Sequence, residues 1–106
     1  MEIQIKNKYL LEMRTLEMQA MNLWERGRIR GYEVENSYTE TTWVMRIVVT
    51  FLPRAGRAYD EALVWFAGPQ GQYDGGLRER LRFEVEKMNV EDKAAKAAED
   101  KKLYML

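Results

Sequence analysis

The run Trp43-Val-Met-Arg-Ile-Val-Val-Thr-Phe51 constrains this chain more than any other segment. Trp43, Met45, Ile47, Val49 and Phe51 fall at every second position and make one unbroken apolar face. A period of two is the strand period, so these five large side chains must be laid on a core by a sheet. Upstream, Arg28-Ile-Arg-Gly-Tyr-Glu-Val-Glu-Asn-Ser-Tyr38 follows Gly27 and alternates as well. Tyr32, Val34 and Tyr38 share one face, with Glu33, Glu35 and Ser37 on the other, which suits a half-buried or edge strand. The polar link Thr39-Glu-Thr-Thr42 is short, so strands 28–38 and 42–52 are expected to pair as an antiparallel hairpin, with Pro53 stopping the second.

A third strand is expected over 59–67. It contains Ala62-Leu-Val-Trp-Phe-Ala67, apolar on both faces, and such a run calls for cover on both sides by helices or by a partner chain. The segment Gly68-Pro-Gln-Gly-Gln-Tyr-Asp-Gly-Gly76 reads as turn-rich connection.

Helices flank this sheet. Over 8–26, Tyr9, Met13, Leu16, Ala20 and Leu23 recur at helical spacing, Leu10, Met21 and Trp24 widen the stripe, and Asn7 is the expected N-cap. Met1–Lys6 fits either a short strand, through Ile3 and Ile5, or the first turn of that helix. From Leu77 a long helix carries Leu77, Leu81, Val85 and Met88 on its buried side. That stripe stops near Asn89, where Asn89-Val-Glu-Asp92 is expected to cap a new helix. From Glu91 to Lys102 the only apolar residues are alanines, and the chain ends in Leu103-Tyr-Met-Leu106. The expected architecture is therefore α+β: an N-terminal helix, a three-stranded antiparallel β-meander and a long C-terminal helix with a polar extension. Residues 1–90 form the domain and 91–106 a charged Ala/Lys/Glu tail with an apolar end.

Length and composition narrow the function. With 106 residues the chain suits a single core that buries roughly two-thirds of its unfolded surface. It contains no cysteine and no histidine. Disulfides, thiolate nucleophiles, thiolate-ligated metals and the commonest neutral-pH base are thereby excluded, and a zinc, copper or haem site would need carboxylates alone or a methionine ligand. No catalytic residue, cofactor or metal is assigned. Asp60, Glu61 and Asp74 flank the third strand but lack the further in-line carboxylate that a magnesium-dependent nuclease requires. There is no apolar run long enough to span a bilayer and no signal-peptide pattern at Met1–Lys6, so the expected setting is cytoplasmic.

Seventeen basic and seventeen acidic residues cancel, which argues against a dominating attraction to nucleic acid or anionic lipid. Distribution matters more. Every arginine lies between Arg14 and Arg82, whereas Lys87, Lys93, Lys96, Lys101 and Lys102 cluster in the tail. Arginine suits planar contacts and lysine suits solvation. Two readings follow. In the first, the protein is a non-enzymatic interaction protein that works as a homodimer or small oligomer. Its partner-binding residues are Trp65 in the doubly apolar strand and Leu103, Tyr104, Met105 and Leu106 at the sticky end of the tail. Viral or phage accessory and inhibitor factors are often of this size and make-up. In the second, Arg26, Arg28 and Arg30, Arg54 and Arg57, and Arg78 and Arg80 beside the Gly68–Gly76 loop join hairpin aromatics to hold nucleic acid or an anion.

The element order also resembles that of double-stranded RNA-binding domains, and Asp92-Lys-Ala-Ala-Lys-Ala-Ala98 is similar to the Lys/Ala-rich second helix of that family. Here the Ala/Lys run lies well beyond the start of the helix, behind Glu84, Glu86, Glu91 and Asp92, so no binding residue is assigned from it.

Overall fold

A computed structural model describes residues 2–39, 42–53, 60–68 and 71–104. The order of elements is α1 (Glu2–Glu25), β1 (Ile29–Tyr38), β2 (Trp43–Phe51), β3 (Asp60–Gly68), β4 (Gly71–Asp74) and α2 (Leu77–Tyr104). The four strands form one antiparallel sheet in sequential order β1-β2-β3-β4. The fold is α+β as the sequence implies, but the sheet has four strands where three are expected. The fourth comes from the Gly68–Gly76 segment. Glycine and aspartate weigh against strand by propensity, yet Gln72 and Tyr73 pair with Phe66 and Trp65 across a tight return, helped by Gly71 at a φ of 106°.

The alternation in β2 is realised residue by residue. Trp43, Met45, Ile47, Val49 and Phe51 are all buried, together with Ala62, Val64 and Phe66 of β3. Tyr32 and Val34 of β1 pack on the same core. In β1 the register slips between Ile29 and Gly31. This bulge at Arg30 lets Ile29 point to the core alongside the even-numbered residues that follow it. Backbone bonding closes the β1–β2 hairpin, the Thr39 amide donating to the Thr42 carbonyl at 2.8 Å.

Both helices cover this inner face. From α1 come Met13, Leu16, Ala20 and Leu23, and from α2 come Leu77, Leu81 and Met88. Tyr9 stacks on Phe66 with ring centroids 4.6 Å apart. The first helix is longer than the expected 8–26, and Asn7 lies inside it rather than at its cap. Because α1 begins at Glu2, the segment around Ile3 and Ile5 is helix and not strand. The Lys6 ammonium over the Tyr38 ring, 4.4 Å from its centroid, ties these early turns to the end of β1.

The second helix also runs without a break through Asn89, where a new cap is expected. An interior asparagine costs only about half a kcal/mol relative to alanine. Ion pairs at Glu91 and Asp92 hold the following turn in place. Up to Lys102, Met88 is the last buried residue of this helix, and every residue from Asn89 to Lys102 is exposed. This projecting half makes the molecule 66 Å long with a radius of gyration of 17.8 Å, against about 13 Å for a compact chain of this length.

Candidate functional site

Among the described residues, no helix lies on the outer face of the sheet. This face is built from the residues that alternate with the core set: Glu33, Glu35 and Ser37 on β1, Val44, Arg46, Val48 and Thr50 on β2, Glu61, Leu63, Trp65 and Ala67 on β3, and Tyr73 on β4. Strand register arranges them in rows. One row runs across all four strands as Glu35, Arg46, Trp65 and Tyr73. Within it Arg46 donates to the Glu35 carboxylate, and Trp65 stacks on Tyr73 with centroids 5.9 Å apart and planes 23° from parallel. The next rows place Ser37, Val44 and Ala67 together on one side, and Glu33, Val48 and Leu63 on the other. Tyr73 remains 51% exposed and Val44 40% exposed, while Trp65, Val48 and Leu63 are half-buried.

Of the cover expected on both sides of β3, by helices or by a partner chain, the helices of this chain supply one side. Ala62, Val64 and Phe66 lie under the helices, and Leu63 and Trp65 line the open face. Of the residues expected to bind a partner, Trp65 stands at the centre of this face. Leu103 and Tyr104 belong to the last turn of α2, and Met105 and Leu106 lie outside the described residues. Sequence reasoning missed Tyr73. The signal was present, since Gly68 and Gly71 bracket a short return that sets Tyr73 opposite Trp65.

The arginines of the nucleic-acid reading are placed differently from one another. Arg54 and Arg57 lie outside the described residues, and Arg30 is exposed at the β1 bulge. The other four each reach a carboxylate. Arg26 grips Asp92 with two hydrogen bonds of 2.5 and 3.1 Å, and Arg28 pairs with Glu91. Those residues are more than 60 positions apart in sequence, and they strap α2 to the α1–β1 turn. The hydrogen bond from Arg26 holds the Asp92 carboxyl below the ordinary carboxylate range, and the same bond raises Arg26 above its usual value.

Arg78 spans three elements, donating to Glu12 of α1 at 2.5 Å, to Gln72 of β4 at 3.1 Å and to Asp74 at 3.5 Å. It sits on the wall of a groove of about 800 Å³ between α1, β4 and the first turns of α2. Arg80 pairs with Asp60 while its guanidinium lies 3.8 Å from the Phe51 ring centroid.

The helix terminus beside the glycine-rich segment is occupied from within. Asp74 accepts hydrogen bonds from the amides of Gly76 and Leu77 at 2.9 and 3.1 Å, so the donors that would meet an anion already serve a carboxylate. Asp60 and Asp74 are thus engaged by Arg80 and by the α2 terminus, and Glu61 lies exposed on the outer face opposite Thr50. Among the described residues, no helix is long and apolar enough to cross a membrane. No protein-family model, curated protein or solved structure matches this chain.

Proposed function

We propose that this is a non-enzymatic interaction protein that acts as a homodimer, with the open face of its sheet as the contact surface. The observation that carries the reading is the stripe Val44, Val48, Leu63, Trp65 and Tyr73, which lies on the outer side of a sheet whose two helices both serve the other side. A contiguous apolar surface ringed by charged residues marks an association site in a water-exposed protein. Aromatic residues at its centre are the side chains that most often dominate binding energy. The alternative through the arginines has less support. Arg26, Arg28, Arg78 and Arg80 share their charge with Asp92, Glu91, Glu12 and Asp60, which lowers the positive field a phosphate backbone would meet.

The test is the mass of the full chain in solution. Sedimentation at high micromolar concentration is expected to give a dimer, and a monomer there refutes the reading. Deleting Leu103–Leu106 separates the two candidate contributions. A truncated chain that remains dimeric removes the tail from the interface and leaves the sheet face as its seat. A pull-down with the same chain, with Tyr73→Ala as the control, then asks whether an accessory or inhibitory role uses this face toward another protein.

A further inference from the structure

The rows of the outer face are complementary to themselves, and they specify how two copies meet. We propose that a second copy of this chain packs face to face on the first about a twofold axis that runs parallel to the strands, between β2 and β3. The proposal rests on the homodimer reading above and adds its geometry.

Rotation about that axis sets β1 of one copy over β4 of the other and β2 over β3, while each row keeps its level along the strands. Arg46 then faces Trp65 of the second copy, a guanidinium against an indole. Glu35 meets the Tyr73 hydroxyl, which donates to the carboxylate. Val48 meets Leu63, Val44 meets Ala67, and Thr50 meets Glu61 as hydroxyl donor to carboxylate. The aliphatic residues Val44, Val48, Leu63 and Ala67 land on aliphatic ones, the two aromatic rings land on the arginine and glutamate of their own row, and Glu35 and Glu61 each land on a donor. The other in-plane axis, perpendicular to the strands, brings β1 over β1. It sets Glu33 and Glu35 against the same residues of the second copy, a like-charge arrangement that opposes association.

The sheet edges point the same way. The β1 edge carries the bulge at Arg30, and β4 is four residues long. Both are devices that discourage growth of a sheet by edge pairing and leave the face as the available surface. Strand spacings give that face a plane of about 20 by 30 Å. Two copies would bury about 1,000 Å² in all, the lower bound of a specific interface. Aligned sheets pack at such faces about 10 Å apart.

The test uses two charge variants of the full chain, Arg46→Glu and Trp65→Arg, examined singly and mixed. Alone, the first sets a carboxylate against the indole of Trp65 and the second sets two guanidinium groups against each other, so each is expected to lose the dimer. Mixed in equal amounts they are expected to form a one-to-one heterodimer by native mass spectrometry, because one side regains arginine on tryptophan and the other gains glutamate on arginine. Far-UV circular dichroism establishes that each variant is folded. Should either not fold, Glu35→Lys and Tyr73→Glu repeat the design at more exposed positions. Two monomeric variants that stay monomeric on mixing, or single variants that remain dimeric, overturn this packing while the homodimer reading stands. A monomeric wild type overturns both.

Discussion

Replacing Gly68 by alanine places a methyl group inside the indole of Trp43. The added Cβ would lie 2.2 Å from Nε1, 2.3 Å from Cε2 and 2.7 Å from Cζ2, where non-bonded carbon atoms require about 3.5 Å or more. Gly68 and Trp43 are cross-strand partners, so the indole lies flat across the space that the glycine leaves. The ring is rigid and buried, and it touches Tyr9, which stacks in turn on Phe66. It must move by more than an ångström against that layer. The backbone at Gly68 is outside the left-handed region, so alanine there should otherwise stabilise by about 0.4–1 kcal/mol through the unfolded chain.

A net destabilisation therefore isolates the steric term. We expect Gly68→Ala to cost about 2–3 kcal/mol, in the upper range for an overpacked core, and to lower Tm by roughly 10–20 °C for a domain of this size. Urea unfolding followed by far-UV circular dichroism measures the cost, with an unchanged m-value confirming that the native state is compared with a similar unfolded state. In a Trp43→Val background the ring atoms that meet the methyl are gone, and the same substitution should cost under about 1 kcal/mol. Equal costs in the two backgrounds, or a Gly68→Ala protein that melts with the wild type, would refute the argument.

Trp43→Phe alone is expected to be mild for its size, within about 1 kcal/mol of wild type. Among the described residues Trp43 Nε1 is a buried donor with no partner, and its removal offsets part of the lost apolar area. Arg80→Ala should destabilise by about 1–3 kcal/mol, because a half-buried Asp60 loses its guanidinium and the Phe51 ring loses its cover; an unchanged urea midpoint contradicts this. Asp92 has a folded pKa depressed by Arg26. Its contribution is therefore present above the unfolded carboxylate value of about 4 and is lost as pH falls through the lower folded value. Hydrogen exchange in the Asn89–Lys102 turns should be faster in Asp92→Asn than in wild type at neutral pH, with the difference vanishing in acid; a constant difference across that range rules out the linkage. Single-stranded nucleic acid at about 50 mM salt should show no tight, steeply salt-dependent binding, and such binding by fluorescence anisotropy would restore the arginine reading.

What the sequence by itself determined is local and periodic. The alternation of β2 and the helical stripe from Tyr9 to Leu23 each arise within one element, because side-chain direction repeats every 2 or 3.6 residues whatever lies outside. With the stripe from Leu77 to Met88 they are enough to establish two helices, the β1–β2 hairpin and the core residues that β2 and the helices contribute. The tertiary structure decided whatever depends on partners far along the chain. Gln72 and Tyr73 are too short a run to show strand alternation, the bracketing glycines mark only a turn, and the segment becomes β4 because β3 offers it an edge to pair with. The arginines read as one class of exposed cation, but Arg26 and Arg28 find Asp92 and Glu91 across more than 60 residues, and Arg78 finds Glu12 across a similar distance. The two apolar faces of β3 are equivalent in sequence. Only the placement of both helices on one side separated a covered face, with Val64 and Phe66, from an open one, with Leu63 and Trp65, since burial is a property of the assembled layers and no single strand encodes it.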